Sequence, residues 1–212
     1  MADQSTDRGP SETASGAEFA EPAPSIFIAD LVDKADCRAI LAEFDVEADW
    51  KQAEITSVQP GPGGPVVVSH LDKGRRLARR IHFRDISLSG KPATRTALER
   101  MKTHVAALAA KKFGLKLEEF GDEEIVHYGL GGKFTPHSDA NIVKPYRAIS
   151  VLLYLNDDYE GGATSFPGAN YSTSVRAGRV LVFPSALLHG GDPVTKGEKH
   201  IIVLWGFYPG GR

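Results

Sequence analysis

The second half of the chain reads EEIVHYGL (123–130), GKFTPHSD (132–139), YRAISVLLYLND (146–157), GRVLVFP (178–184) and HIIVLWGFY (200–208). These are short runs rich in β-branched and aromatic residues, and glycine, proline and polar residues separate them. Such runs are typical of β-strands. Because no helical pattern lies between them, they predict an antiparallel sandwich or barrel, and a jelly roll is its natural closed form.

Two helices are predicted upstream of these strands. Apolar residues recur at helical spacing after Asp33, namely Cys37, Ile40, Leu41 and Phe44. A longer apolar stripe predicts a second helix over 92–113, which Gly114 ends. We expect both helices to support one sheet, so the fold class is α+β, mainly β.

Length and composition indicate one soluble domain. The chain has 212 residues with 42% hydrophobic residues, 25% charged residues and a formal net charge of -2, as ordinary globular proteins do. Residues 1–24 are rich in Ser, Glu, Ala, Gly and Pro and are expected to form a disordered tail. The remaining residues, 25–212, are expected to form the single domain.

The cysteine count and the apolar segments bear on the compartment. Cys37 is the only cysteine, so the chain has no intrachain disulfide and no cysteine-based zinc site. The N-terminal residues contain no apolar run like a signal-peptide core, and no stretch is long enough to span a membrane. We therefore expect a cytoplasmic protein without a membrane partner.

Three residues in the β half form a candidate metal site. His137 and Asp139 are two positions apart, so on a strand their side chains point to the same side. His189 follows a buried-looking strand and supplies a second imidazole. Two imidazoles and one carboxylate occupy one face of an ion and leave positions open, which is typical of non-haem Fe(II) oxygenases. The alternative is a chance HxD pattern on the surface and an unrelated histidine in a turn.

A lysine accompanies the candidate metal site. Lys199 lies ten residues after His189 and opens a strand on which it shares a face with Ile201, Val203, Trp205 and Phe207. Either its ammonium group extends to solvent at the strand end, or it awaits an anion inside the barrel. A dicarboxylate cosubstrate could chelate the metal at one end and pair with the lysine at the other.

These residues lie within a familiar series of motifs. HYGLGGKFTPHSDA, RAISVLLYLND, EGGATSFP, RVLVFPSALLHGG and Lys199 with HIIVLW follow one another over about residues 122–208. This series resembles the catalytic domain of the 2-oxoglutarate- and Fe(II)-dependent dioxygenases, specifically the prolyl 4-hydroxylase-like branch. The resemblance implies a double-stranded β-helix core with N-terminal supporting helices.

The resemblance also implies residue roles and cofactors. His137, Asp139 and His189 match the iron ligands, and Lys199 matches the residue that pairs with the distal carboxylate of 2-oxoglutarate. Hydroxyl groups of the cosubstrate pocket match Tyr128, Tyr154 and Thr164, although Tyr154 could instead pack in the core. Fe(II), 2-oxoglutarate and O2 are then the cofactor and cosubstrates, with ascorbate as the reductant that keeps iron as Fe(II).

The implied reaction is hydroxylation with release of succinate and CO2; desaturation or ring closure is an alternative outcome. The substrate could be an amino acid, a small carboxylated metabolite or a peptidyl, prolyl-type side chain.

Arg147 and Trp205 match positions near the open side of the site, where Arg147 could bind a substrate carboxylate or carbonyl. Its alternative is a surface arginine at a strand end. Phe207 stands where some peptide hydroxylases carry a polar residue, which argues against a collagen-like substrate.

Two features lie between the predicted helices, upstream of the strands. The proline and glycine density of Gln59–Val68 predicts an irregular surface loop, either a lid over the site or a linker. Arg75, Arg76, Arg79 and Arg80 fall at helical spacing and Arg84 follows, which is typical of a solvated face; the alternative is an anion-binding patch.

Other function classes stay open at this point. A non-catalytic β-helix module for binding or sensing would keep the fold without turnover. A nucleic-acid oxidative demethylase is disfavoured, because the net charge is -2 and few aromatic residues accompany the basic run. A cupin-type lyase or isomerase would need neither Lys199 nor O2. The sequence leaves the oligomeric state open.

Overall fold

The structure, a computed structural model, describes residues 18–44 and 50–210. Within these ranges the α-helices are α1 (Lys34–Ala42) and α2 (Pro92–Phe113), and two short 3-10 helices cover Phe83–Asp85 and Pro167–Ala169. In chain order the strands are β1 (Ala20–Ala23), β2 (Ile26–Asp30), β3 (Lys51–Gln52), β4 (Ile55–Gly61), β5 (Gly64–His70), β6 (Arg76–Leu77), β7 (Arg79–His82), β8 (Phe120–Tyr128), β9 (Lys133–His137), β10 (Arg147–Tyr154), β11 (Glu160–Gly161), β12 (Thr164–Phe166), β13 (Tyr171–Ser172), β14 (Arg179–Pro184), β15 (His189–Gly191), β16 (Val194–Lys196) and β17 (Lys199–Phe207).

Two antiparallel sheets organise the molecule. The major sheet has eight strands in the order β1-β2-β14-β10-β17-β8-β7-β3, and the minor sheet has five in the order β13-β12-β15-β9-β6. Strands that are neighbours in a sheet are mostly distant in sequence, as a jelly roll requires. The prediction of a mainly β fold is confirmed.

The major sheet separates two apolar cores. On one face, alternate strand residues such as Ile125, Val151 and Ile202 pack against α1 and α2. On the other face, residues such as Leu152 and Ile201 pack towards the minor sheet. Because successive strand residues point to opposite faces, each central strand contributes to both cores, and this explains its continuous apolar sequence.

The two helices follow the sequence prediction closely. Asp33 stands at the N-terminus of α1, and α2 covers the predicted range. Gly114 ends α2 in the left-handed conformation, with φ of 62°, which glycine adopts without steric cost. Both helices pack on the same face of the major sheet, so the helical side and the site side of the sheet are distinct.

The first described segment differs from the predicted disordered tail. Residues 1–17 lie outside the described residues, but Ala20–Ala23 forms β1 and pairs with β2. Most of its side chains are exposed, so main-chain pairing orders this segment and apolar burial does not. The composition argument considered burial alone and therefore placed the end of the tail too late.

The N-terminal half also contributes strands to both sheets. β7 and β3 extend the major sheet beyond β8, and β6 extends the minor sheet. The first four arginines of the run therefore lie on strands and a turn, Arg84 lies in a short 3-10 helix, and the helical spacing was misleading. Arg76 is buried, so the run is not simply a solvated face.

Gln59–Val68 is part of a β-hairpin, and the prediction of an irregular loop was wrong. β4 and β5 pair along their whole lengths, and Pro62 and Gly63 join them. Within the described part of the chain, the hairpin pairs with no other strand. Proline has no backbone N–H to donate. It is tolerated in such a two-stranded ribbon because no further strand lies alongside that would need this donor.

No helix among the described residues is both long enough and apolar enough to cross a membrane.

Candidate metal and cosubstrate site

The three predicted metal ligands converge at the ends of two paired strands. His137 ends β9 and His189 begins β15, and the two residues are direct cross-strand partners. Asp139 follows β9 by two residues. Its Oδ1 lies 3.5 Å from Nε2 of His137, and its Oδ2 lies 3.5 Å from Nε2 of His189. One ligand atom from each residue is therefore available to a single ion.

Hydrogen bonds fix which nitrogen of each imidazole faces the carboxylate. Nδ1 of His137 lies 2.9 Å from the carbonyl oxygen of Thr135, and Nδ1 of His189 lies 2.9 Å from that of Leu187. A carbonyl oxygen only accepts, so each Nδ1 carries the proton and donates it. The lone pair of each neutral ring is then on Nε2, the atom that faces Asp139.

The carboxylate of Asp139 is buried but charged. Burial alone would raise its pKa, but His137, His189 and Arg147 hold the pKa well below its usual range. Ser150 donates a hydrogen bond of 2.7 Å to Oδ2, and Ser150 in turn contacts the hydroxyl of Ser185 at 2.8 Å. The site thus presents two imidazole nitrogens and one oriented carboxylate, which is a donor set suited to Fe(II).

Ser150 is a functional residue that the sequence reasoning missed. It lies in the middle of β10, where every residue is buried. A hydroxyl in such a strand needs a partner, because burial of an unpaired polar group is costly. A lone serine within an apolar run was the signal that could have identified it.

Lys199 is buried inside the β-helix. Its side chain enters the space between the sheets, and its Nζ donates a hydrogen bond of 2.6 Å to the carbonyl of Gly162. It forms no salt bridge with any of the described residues. Burial lowers its pKa to about 7. The alternative of a lysine that extends into solvent is excluded, and an anionic ligand would relieve this cation.

Gly162, whose carbonyl contacts Lys199, has a backbone conformation that favours glycine. Its φ is +64°, and a Cβ at this position would meet Cδ of Lys199 at 3.3 Å. A side chain here would be strained and would crowd the lysine. The preceding Gly161 also has a positive φ, of +73°, and the carbonyl of Gly162 orients the ammonium group.

The three residues predicted to offer hydroxyl groups to the cosubstrate, Tyr128, Tyr154 and Thr164, differ in their position relative to the cavity. The Nζ of Lys199 lies 5.2 Å from the ring centre of Tyr128 and 5.3 Å from that of Tyr154. Tyr128 and Thr164 line the cavity. Tyr154 does not line it and instead contacts the hydroxyl of Thr164 at 2.6 Å. Tyr154 therefore supports Thr164 from behind, and burial raises its pKa so that it stays protonated.

One cavity of about 750 Å³ connects these groups. The three metal-ligand candidates and Lys199 line its interior, and Leu152, Ile201 and Val203 form apolar walls. Residues of the β4–β5 hairpin and of the arginine run line its rim. The cavity can hold a small dicarboxylate beside a metal and is open to a larger molecule.

Arg147 and Trp205 lie together at this cavity. The guanidinium carbon of Arg147 is 3.4 Å from the ring centre of Trp205, and its Nη2 donates a hydrogen bond of 2.6 Å to Asp122. Arg147 is only 5% exposed, so it is not the surface arginine of the alternative. Nε1 of Trp205 is buried without a hydrogen-bond partner in the described part of the chain.

Glu124 neutralises part of the basic run. Its carboxylate lies 3.0 Å from Arg76, 3.2 Å from Arg80 and 3.3 Å from His82. Burial opposes the ionisation of Glu124, but the two arginines hold its pKa below the usual value. The sequence reasoning did not identify this charge cluster, although a glutamate inside an apolar strand was a visible signal.

Loss of the Glu124 charge is expected to destabilise the fold. In Glu124→Gln the buried Arg76 loses its counter-charge, and breaking a buried pair in this way costs about 3–5 kcal/mol. The free energy of unfolding, measured in urea at pH 7, gives the effect. The folded-state pKa is depressed, so this stabilisation is present above the ordinary carboxyl pKa and is lost as the pH falls through the depressed value.

A matched control is Glu160→Gln. Glu160 pairs with Lys196 at 2.9 Å, but both side chains are exposed. Such surface pairs contribute about 0–1 kcal/mol. Equal effects of the two substitutions would show that the Glu124 cluster has no special role in stability.

Comparisons with known proteins agree with this geometry. Residues 124–207 match the model of the 2OG-Fe(II) oxygenase superfamily. A prolyl 4-hydroxylase-like protein of Acanthamoeba polyphaga mimivirus is 42% identical over an alignment of 116 residues, covering 45% of this chain and 48% of that protein. The chain spans less than half the length of the first curated relatives that it matches.

Solved structures show the same fold. A prolyl-4-hydroxylase from Pseudomonas putida has a TM-score of 0.66 at 21% identity, covering 86% of this chain and 92% of that chain. A prolyl hydroxylase from Trichoplax adhaerens, in complex with a hypoxia inducible factor peptide, has a TM-score of 0.70 at 15% identity, covering 89% and 86%. The expected β-helix core with supporting helices is confirmed.

Proposed function

We propose that the protein is an Fe(II)- and 2-oxoglutarate-dependent hydroxylase of the prolyl 4-hydroxylase-like branch, since residues 124–207 match the model of the 2OG-Fe(II) oxygenase superfamily. It acts on an unactivated C–H bond of its substrate. When bound, iron and 2-oxoglutarate supply the oxidative chemistry, in which O2, 2-oxoglutarate and the substrate give succinate, CO2 and the hydroxylated product. The observation that carries the proposal is the presence of the His137, Asp139 and His189 donor set and the buried Lys199 in one cavity.

Different residues of the chain bind the iron and the 2-oxoglutarate. His137, Asp139 and His189 hold the iron, and Ser150 orients the carboxylate. Lys199 pairs with the distal carboxylate of 2-oxoglutarate, and Tyr128 and Thr164 offer hydroxyl groups beside it. The apolar walls exclude water, which strengthens each of these charged interactions.

The side chains at the rim favour a substrate with carbonyl groups. Arg147 lines the cavity, and its guanidinium group, stacked on the ring of Trp205, can donate a hydrogen bond to a substrate carbonyl. The hairpin exposes Val66 and Val67, and these apolar side chains suit a chain-like ligand. A peptidyl, prolyl-type side chain is therefore the preferred substrate, ahead of a free amino acid or small carboxylated metabolite.

The alternative of a non-catalytic module is not favoured. Both imidazoles turn Nε2 towards the charged carboxylate of Asp139, and Lys199 forms no salt bridge with any described residue. A nucleic-acid demethylase is also not favoured, because buried pairing with Glu124 neutralises part of the basic run.

The direct test is turnover with candidate substrates. The full chain is supplied with Fe(II), 2-oxoglutarate, O2 and ascorbate, together with proline-containing peptides, free amino acids or small carboxylates. Peptides are expected to raise succinate formation and to gain the mass of one oxygen atom. Succinate formation that no peptide stimulates would contradict the peptidyl substrate, and absence of succinate with every substrate would contradict the enzyme assignment.

The β4–β5 hairpin is expected to become ordered over the bound substrate. Ile55 to Val58 line the cavity rim, and within the described ranges the hairpin pairs with no other strand, so its local stability is low. Hydrogen exchange across residues 55–84 should slow when an accepted substrate binds to the protein loaded with metal and 2-oxoglutarate. Exchange in α2 serves as the internal control. Unchanged exchange in the hairpin would remove it from the substrate-binding surface.

A further inference from the structure

A second cluster of metal-ligand side chains lies outside the cavity. His127 of β8 and His200 of β17 are direct cross-strand partners, and their ring centres are 4.7 Å apart. Glu198 precedes β17, and its Oε2 lies 3.2 Å from Nε2 of His127. One ligand atom from each of the three residues lies within 4.8 Å of the other two.

The cluster is on the opposite face of the major sheet from the cosubstrate pocket. His127 and His200 are the chain neighbours of Tyr128 and Lys199, which point into the β-helix. Since side chains alternate along a strand, the two histidines face the other way. None of the three residues lines the 750 Å³ cavity, so the proposed hydroxylase chemistry does not use them.

Two buried nitrogens of the cluster can take part in metal binding. Nδ1 of His200 is inaccessible to solvent and makes no hydrogen bond within residues 18–44 and 50–210, and Nε2 of His127 is equally inaccessible and faces Oε2 of Glu198 at 3.2 Å. His127 as a whole is only 8% exposed. Burial of a polar atom without a partner is costly, so a cation that accepts a lone pair from each ring would stabilise the structure.

The surroundings hold the cluster in place. Asn156 accepts a hydrogen bond of 2.8 Å from the backbone N–H of His200 and donates one of 2.7 Å to the backbone carbonyl of Glu198. The indole of Trp50 packs edge-on against both imidazoles. Glu198 exposes 65% of its side chain, which leaves an entry path for an ion.

The rings are also in the protonation state that metal binding requires. Burial lowers the pKa of both histidines, that of His200 to about 4. Both imidazoles are then neutral near pH 7. The positive charge of Arg79, on the neighbouring strand, lowers both pKa values further, whereas Glu198 raises both and Asp158 raises that of His200.

We propose that His127, His200 and Glu198 form a Zn²⁺ site that joins β8 to β17 on the outer face of the major sheet. Two imidazoles and one carboxylate are a common zinc donor set, with water in the fourth position. The ion would link two central strands at the end where Lys199 and Tyr128 pair. It is separate from the iron site and binds whether or not the iron site is present.

Zinc titration in a chain with the first site removed tests this directly. The background is the full chain with His137→Ala and His189→Ala, titrated with Zn²⁺ against a chromophoric chelator. One equivalent is expected to bind. His200→Asn should weaken binding by at least about 100-fold and Glu198→Gln by about 10-fold or more. His104→Asn, on α2, is the matched control and should bind like the background.

Two further readouts keep the result decisive. In the chain with its iron site intact, Zn²⁺ stoichiometry should be two, and in Glu198→Gln, whose exposed position makes a folding defect no concern, the second equivalent should bind about 10-fold or more weakly. Co²⁺ added to the background should give the visible absorption of a low-coordinate site, and His200→Asn should remove it. If the background binds no Zn²⁺, or if His200→Asn binds it equally well, the site does not exist and the pair is only a histidine–carboxylate contact.

Discussion

Replacing His137 or His189 with alanine is expected to abolish iron binding and all succinate formation from 2-oxoglutarate. Each imidazole offers its Nε2 at 3.5 Å from the shared carboxylate, so loss of one leaves only two protein ligands. Substitution of a residue that merely orients a ligand weakens metal binding by about 10–100-fold, and loss of the ligand itself should reach or exceed the upper figure. Iron retained after anaerobic loading and dialysis, together with succinate formation, measures the effect.

His104→Ala is a suitable control for these variants. His104 lies on α2, where its Nδ1 contacts the carbonyl of Arg100, and it is remote from the cavity lining. Its substitution should leave iron content and turnover unchanged. Asp139→Ala is a softer test, because an anion from solution can take the place of the carboxylate. Full activity in His137→Ala or His189→Ala would remove these residues from the proposed site.

Lys199→Ala is expected to weaken 2-oxoglutarate binding by about 30-fold or more while iron binding is retained. Truncating one partner of a buried charge pair costs about 2–5 kcal/mol. Lys199 is 2% exposed, so water would screen the pair little. Lys199→Arg should lose less, because it keeps the charge. Lys196→Ala is the matched control, since Lys196 is exposed and pairs with Glu160 in a surface salt bridge.

Pyruvate distinguishes a specific effect from general damage. It lacks the distal carboxylate, so it should be a poor cosubstrate of the parent chain and should be affected little by Lys199→Ala. Titrating both keto acids against both proteins gives the coupling energy between lysine and distal carboxylate. Equal weakening of pyruvate and 2-oxoglutarate would show that Lys199 does not bind that carboxylate.

The same lysine predicts a pH dependence. Burial lowers its pKa to about 7, so in the free site the ammonium form is lost as the pH rises above that value. A dianionic cosubstrate requires the charged form, so binding takes up a proton at higher pH. The apparent dissociation constant of 2-oxoglutarate should rise by up to about tenfold per pH unit above 7. This pH dependence should disappear in Lys199→Ala.

The parts of the site that the sequence predicted were those governed by local spacing. His137 and Asp139 share a side because strand residues alternate, and Lys199 enters the barrel for the same reason. The second helix has the predicted bounds because its apolar stripe and the glycine that ends it are local signals. The position of His189 opposite His137 needed the fold, and the family resemblance supplied it.

The parts that were missed depend on contacts between distant residues. Glu124 and Arg76 are 48 positions apart, and no local pattern indicates which arginine of the run meets which carboxylate. β1 is ordered by main-chain pairing with β2, which leaves little trace in side-chain composition. In the hairpin, proline and glycine cluster at one tight turn, and counting them without regard to their positions suggested an irregular segment.

The isolation of the β4–β5 hairpin also affects how this fold can diversify. Its two strands pair only with each other among the described residues, and a two-residue turn joins them. Lengthening such a ribbon costs little, because each doubling of a surface loop adds only about 0.6 kcal/mol of closure entropy. Insertions at Pro62 and Gly63 would therefore alter the rim of the cavity without moving the strands that carry the metal ligands. Grafted hairpins of other lengths offer a route to new substrate preferences on an unchanged β-helix.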